Sequence, residues 1–160
     1  MTNEVTALWD QWGLILTGGK TPSPHTNVHN AALIVENDPL FKGSVYYDEF
    51  LQRIMRRNSP AREWRDGDDL ELLRHIQNVI EIPRMGRDSV SQAVIAVASK
   101  DRRNCVREWM ESLTWDQQPR INAFFSDHFS APQDDYTSSA GRNFWVSMVA
   151  RVFEPGCKVD

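Results

Sequence analysis

The stretch Asp68-Asp69-Leu70-Glu71-Leu72-Leu73-Arg74-His75-Ile76-Gln77-Asn78-Val79-Ile80 decides the fold class. Leu72, Leu73, Ile76, Val79 and Ile80 recur at helical steps, which places them along one face of an α-helix. Asp68 followed by Glu71 resembles a capping box opening that helix, and Pro83 ends it.

The same periodicity extends outward in both directions. Val5, Leu8, Trp9 and Trp12 mark a first helix that Gly13 stops. Asn27 is placed to cap a second, with the stripe Val28, Ala31, Ala32 and Val35 ending before Asp38-Pro39. Val90, Ala93, Val94, Val97 and Ala98 mark a helix of small residues suited to close packing. Val106, Trp109, Met110 and Leu113 mark another. Pro119 suits a first helical position before Ile121, Phe124, Phe125 and Phe129. Trp145, Met148, Val149, Val152 and Phe153 mark the last, before Pro155-Gly156. Seven helices are expected.

One segment breaks this pattern. Val45-Tyr46-Tyr47-Asp48 after Gly43, with Gln52-Arg53-Ile54-Met55-Arg56 as a return strand, predicts a β-hairpin. An isolated hairpin is marginal and needs helices behind it. The expected class is therefore mainly α with a small hairpin, a layout like that of a winged helix. Residues 17–27 and 130–140 read as loops. Residues 1–27 are expected to form an N-terminal helix and linker loop, and residues 28–160 a helical accessory domain.

The 160 residues are 41% apolar and 25% charged, an ordinary globular profile. No apolar run is long enough to span a bilayer, and the N-terminus lacks the features of a secretory signal. Cys105 and Cys157 cannot form a disulfide framework or a four-ligand zinc site by themselves. The expected setting is cytoplasmic and reduced.

Charge is uneven: residues 1–52, 53–107 and 108–160 have net charges of −4, +4 and −4. Arginine supplies fourteen of the eighteen basic residues, and its guanidinium grips phosphate bidentately where lysine is a point charge. Arg53, Arg56, Arg57, Arg62 and Arg65 follow Tyr46, Tyr47 and Phe50, an aromatic-basic mixture of the kind single-strand binders use. Lys100, Arg102, Arg103 and Arg107 form a second cluster where one helix gives way to another. The competing reading is a solvated face with charges complementing a helix end.

Other motifs dissolve on inspection. Gly19-Lys20-Thr21 resembles the end of a phosphate loop, but Gly13 stands one residue too far upstream. Pro22 and Pro24 also prevent the helix that the lysine must open. His25 and His29 have metal-ligand spacing without further ligands. His75 and His128 read as packing or surface residues. Asp66, Asp68 and Asp69 are better explained by helix capping than by magnesium or a nuclease site.

Beyond these local readings, Val106-Arg107-Glu108-Trp109-Met110-Glu111-Ser112-Leu113-Thr114-Trp115-Asp116, then Pro119-Arg120-Ile121 and Tyr136, form an ordered series. It closes on Val149-Ala150-Arg151-Val152-Phe153-Glu154-Pro155-Gly156-Cys157-Lys158-Val159-Asp160. This series resembles the virulence-associated protein E family of phage, plasmid and pathogenicity-island replication proteins. Trp64, Asp66-Gly67-Asp68-Asp69 and Tyr47-Asp48-Glu49-Phe50 are similar to the family as well. Two positions depart from it: Gln117 replaces a usual Gly, so a different turn is expected, and Asn104-Cys105 replaces a common His-Pro.

The resemblance implies a region that precedes a P-loop ATPase of helicase type, sometimes with a primase-like region upstream. It implies a non-catalytic accessory domain of a mobile-element DNA-replication helicase, positioning DNA or neighbouring subunits for the motor. ATP and Mg would belong only to the missing downstream domain, and this chain would hold no cofactor or metal. Single-stranded or forked DNA would meet Arg53, Arg56, Arg57, Arg102 and Arg103. The downstream ATPase domain is the other expected partner, homo-oligomerisation through the last helix is a third, and no membrane is involved. The alternative is a structural oligomerisation or docking module with no nucleic-acid contact.

Overall fold

A computed structural model describes residues 3–158. Among them are seven helices and a small four-stranded sheet, so the chain is mainly α. Contacts divide the chain into two compact units, residues 1–103 and 104–160. Among the described residues no helix is long and apolar enough to cross a membrane.

The first unit contains α1 (Asn3–Gln11), α2 (Val28–Asn37), β1 (Val45–Asp48), β2 (Arg53–Arg56), β3 (Arg62–Glu63), α3 (Asp66–Asn78), α4 (Arg87–Ala98) and β4 (Arg102–Arg103). Asn27 caps α2 as predicted, its side chain accepting from Asn30 N at 2.9 Å. The small stripe of α4 allows close approach to α2, and Ala31, Ile34, Val35, Val90, Ala93 and Ala98 are fully buried. The predicted stripe on α3 contributes Leu72 and Ile76 to the same core. Trp9 on α1 joins it, and its indole N–H donates to Ile80 O at 2.9 Å. Segment 1–27 thus shares the core of the first unit through Trp9, Trp12 and Leu14.

The loop around Gly19-Lys20-Thr21 is organised by a buried polar side chain rather than by phosphate chemistry. Asn30 accepts from Ile15 N and donates to the carbonyls of Ile15 and His25, all within 2.9 Å. Leu16 bridges to Pro24, leaving Gly19, Lys20 and Thr21 exposed at the tip.

The hairpin forms with β1 antiparallel to β2, pairing Tyr46 with Met55 and Asp48 with Arg53. Its turn is held by Asp48, whose carboxylate accepts from Phe50 N and Leu51 N at 2.9 Å. Both outer edges are covered: β3 adds antiparallel to β2, and β4 adds parallel to β1, giving the order β3-β2-β1-β4. The hairpin is thus the middle of a sheet, and Val45 packs into the helical core.

Asp68 is not the residue that opens α3. That place falls to Arg65, whose backbone N–H donates to the Asp68 carboxylate at 2.8 Å from the helix's first turn. The acidic residue therefore works as the back-reaching member of the cap.

The second unit contains α5 (Cys105–Ser112), α6 (Phe124–Phe129) and α7 (Asp135–Phe153). Asn104 caps α5 by accepting from Arg107 N at 2.9 Å. Cys105 occupies the first helical position, where a proline also fits. Pro119 does not start a helix, and α6 begins only at Phe124. The reason is local: Gln117 has φ 65°, and Asp116 accepts from Gln118 N at 3.0 Å while pairing with Arg120. Gln117 thus holds a left-handed backbone of the kind that glycine favours. The predicted loop 130–140 is also shorter, because Asp134 accepts from Thr137 N at 2.7 Å and caps α7. Ser138 and Ser139 are therefore helical.

Candidate functional site

The five arginines expected to meet DNA all belong to the first unit, on or beside the sheet. Arg53 pairs with Glu63 at 2.8 Å across the β2–β3 strands. Arg57 pairs with Asp101 at 2.6 Å, and Arg102 with Glu49 at 2.9 Å. Arg57 and Arg103 both stand over the Tyr46 ring, at 5.3 and 5.9 Å, and Arg102 stands over Tyr47 at 5.2 Å. Of the aromatic residues in the mixture, Tyr46 and Tyr47 thus meet arginines on or beside the sheet, while Phe50 is half-exposed.

Arg56 differs from the rest. It is largely buried and held at 2.5 Å by both Asp68 and Glu71, with Trp64 against its guanidinium. Arg62 completes the cluster at 2.6 Å from Asp68. The Glu71 hydrogen bond, with further help from Asp68, holds the Arg56 pKa above its ordinary value. Arg62, the Arg65 backbone N–H and Arg56 hold the Asp68 carboxyl well below its usual range. This group, centred on the buried Asp68, fastens β2 and β3 to α3.

The paired acids were the signal that sequence reasoning missed. Glu63, Glu71 and Asp101 lie within the stretch that looked basic and Glu49 lies just before it, yet each answers an arginine. Asp66, Asp68 and Asp69 also part company. Asp66 pairs with Arg87 at 3.2 Å, whereas Asp69 accepts from Trp64 Nε1 at 2.8 Å and Ser91 Oγ at 2.5 Å. Among the described residues no three His, Cys, Asp or Glu side chains form a group able to hold a metal ion. His25 lies in the loop and His29 on the exposed side of α2.

The second unit presents a different kind of surface. Leu113, Trp115, Ile121, Phe124, Trp145, Val146 and Val149 line an apolar groove of about 880 Å³. Phe124 anchors its wall, contacting Phe125, Phe129, Phe144 and Trp145. Gly141 on α7 makes this packing possible, because a Cβ there would come within 2.9 Å of Ile121 O. Asp116 and Arg120 pair at 2.7 Å beside the groove, and that guanidinium lowers the Asp116 pKa to about 2. Trp115 remains 70% exposed and Val146 57% exposed.

Comparison with known proteins points to the same unit. Residues 110–160 match the family model for the virulence-associated protein E-like domain. The matched segment contains every residue lining the groove and none of the five arginines. No curated protein matches the chain.

Proposed function

We propose that the chain is a non-catalytic accessory part of a replication helicase of the virulence-associated protein E type, and that it positions the ATPase part by docking it in the groove of the second unit. The observation that carries this reading is the coincidence of that groove with the matched segment. Exposed apolar surface of this extent marks an interaction site. The arginines support a docking role less directly: Arg53, Arg56, Arg57 and Arg102 already pair with carboxylates, so a phosphate would have to displace one at each. Calorimetric titration of the chain with the separately produced ATPase part of such a helicase tests the reading. Saturable binding that is lost in the double variant Val146→Asp, Val149→Asp supports it. Absence of a complex at high micromolar concentrations overturns it.

A second reading keeps DNA as a partner, and the stacking of Arg57 and Arg102 on Tyr46 and Tyr47 favours it. Both arginines are exposed, so displacement of their carboxylates would cost little. Fluorescence anisotropy with forked and single-stranded DNA at low salt is the measurement. Weak, salt-sensitive binding removed by Arg57→Glu with Arg102→Glu supports DNA contact. An unchanged signal at high micromolar protein overturns it.

A further inference from the structure

A second groove, of about 810 Å³, runs along α3 in the first unit and has a different chemistry. Its floor includes Phe41 and His75, whose rings meet at 5.5 Å. Asp38 fixes that floor, accepting from His75 Nε2 at 2.7 Å and from Leu40 N at 2.8 Å. Leu40, Leu70 and Val79 wall the groove, each more than half exposed.

Two charged side chains share the lining, and they are not equivalent. Both Glu71 oxygens are engaged by Arg56, at 2.5 and 3.1 Å. Arg74 is exposed and has no ion pair among the described residues. Asn78 sits one turn on, its amide donating to the Arg74 carbonyl at 2.8 Å. The groove therefore combines an aliphatic socket with one uncompensated guanidinium.

We infer that this groove binds an acidic peptide carrying a large apolar side chain, with a carboxylate on Arg74 and the apolar group between Leu40, Leu70 and Val79. Charge complementarity selects the acidic partner, because Arg74 is the one lining charge without an internal counterion. Nucleic acid fits poorly: Phe41 is only 1% exposed and offers no ring face for a base.

The test is fluorescence polarisation of the full chain with a fluorescein-labelled hexapeptide, Asp-Asp-Leu-Asp-Asp-Phe. Saturable binding is expected, weakened at least about fivefold by Arg74→Glu and largely retained by Arg74→Lys. Leu70→Asp should remove it, while far-ultraviolet circular dichroism of each variant stays that of the parent. Val146→Asp, in the other groove, should leave it unchanged. Equal affinity for the Asn-Asn-Leu-Asn-Asn-Phe peptide, indifference to Arg74→Glu, or loss in Val146→Asp overturns the inference. So does a lack of saturation up to about 1 mM peptide.

Discussion

Trp9, Ile34, Leu72, Ile76 and Val90, all in the first unit, are at most 2% exposed, whereas Trp109, Trp115, Ile121 and Val146 in the second are 46–70% exposed. Trp109 and Val146 sit on helices like the first set, whereas Trp115 and Ile121 lie in the segment between α5 and α6. In the first unit α2, α3 and α4 cover one another's stripes and α1 adds Trp9. In the second, α7 carries Trp145, Met148, Val149, Val152 and Phe153, of which Val152 alone is buried. An amphipathic pattern thus states that a face is apolar without stating what covers it. A well-covered core reads as structure, and the groove left open within the matched segment is the surface we propose for a partner.

Truncation gives the largest way to break this contrast. Ile76→Ala should destabilise the first unit by about 3 kcal/mol, through lost transfer energy and the cavity left behind. Val146→Ala should change stability by less than about 0.5 kcal/mol. Urea unfolding followed by hydrogen exchange of the α3 and α7 amides measures both, and equal costs would erase the distinction.

Next in size is the ion cluster around the buried Asp68. Asp68→Asn leaves Arg56 and Arg62 without their shared carboxylate and should cost about 2 kcal/mol. The pH dependence has a definite sign. Because the folded Asp68 carboxyl titrates below its unfolded value, its contribution is complete above about pH 4 and declines as pH falls further. Acid titration of urea midpoints should show a smaller decline in Asp68→Asn than in the parent.

The smallest effect lies in the turn before α6. Gln117 holds φ 65°, a region where glycine has no side-chain penalty. Gln117→Gly should stabilise the second unit by about 0.5 kcal/mol, read as slower exchange of the α6 amides. Destabilisation instead would mean that the Gln side chain contributes more than the backbone strain it imposes.

Much of the architecture was legible beforehand. The stripes on α2, α3 and α4, the Asn27 cap and the β1–β2 hairpin follow from spacing and residue type. Asp134 escaped notice as a cap because Pro132 and the neighbouring serines gave 130–140 the composition of a loop. Strands β3 and β4 are two residues each, too short to carry any periodicity. For the candidate DNA contacts, residue type was legible and availability was not.

The amino-acid order alone determined where helices and the hairpin form, since periodicity and caps act within about one helical turn. Tertiary structure decided which charges and apolar faces are left over. Arg57 finds Asp101 across 44 positions and Arg102 finds Glu49 across 53, distances in sequence over which no local pattern extends. Burial likewise depends on which elements meet, so the covering of the α3 and α4 stripes and the opening beside α7 emerge only once the helices are packed.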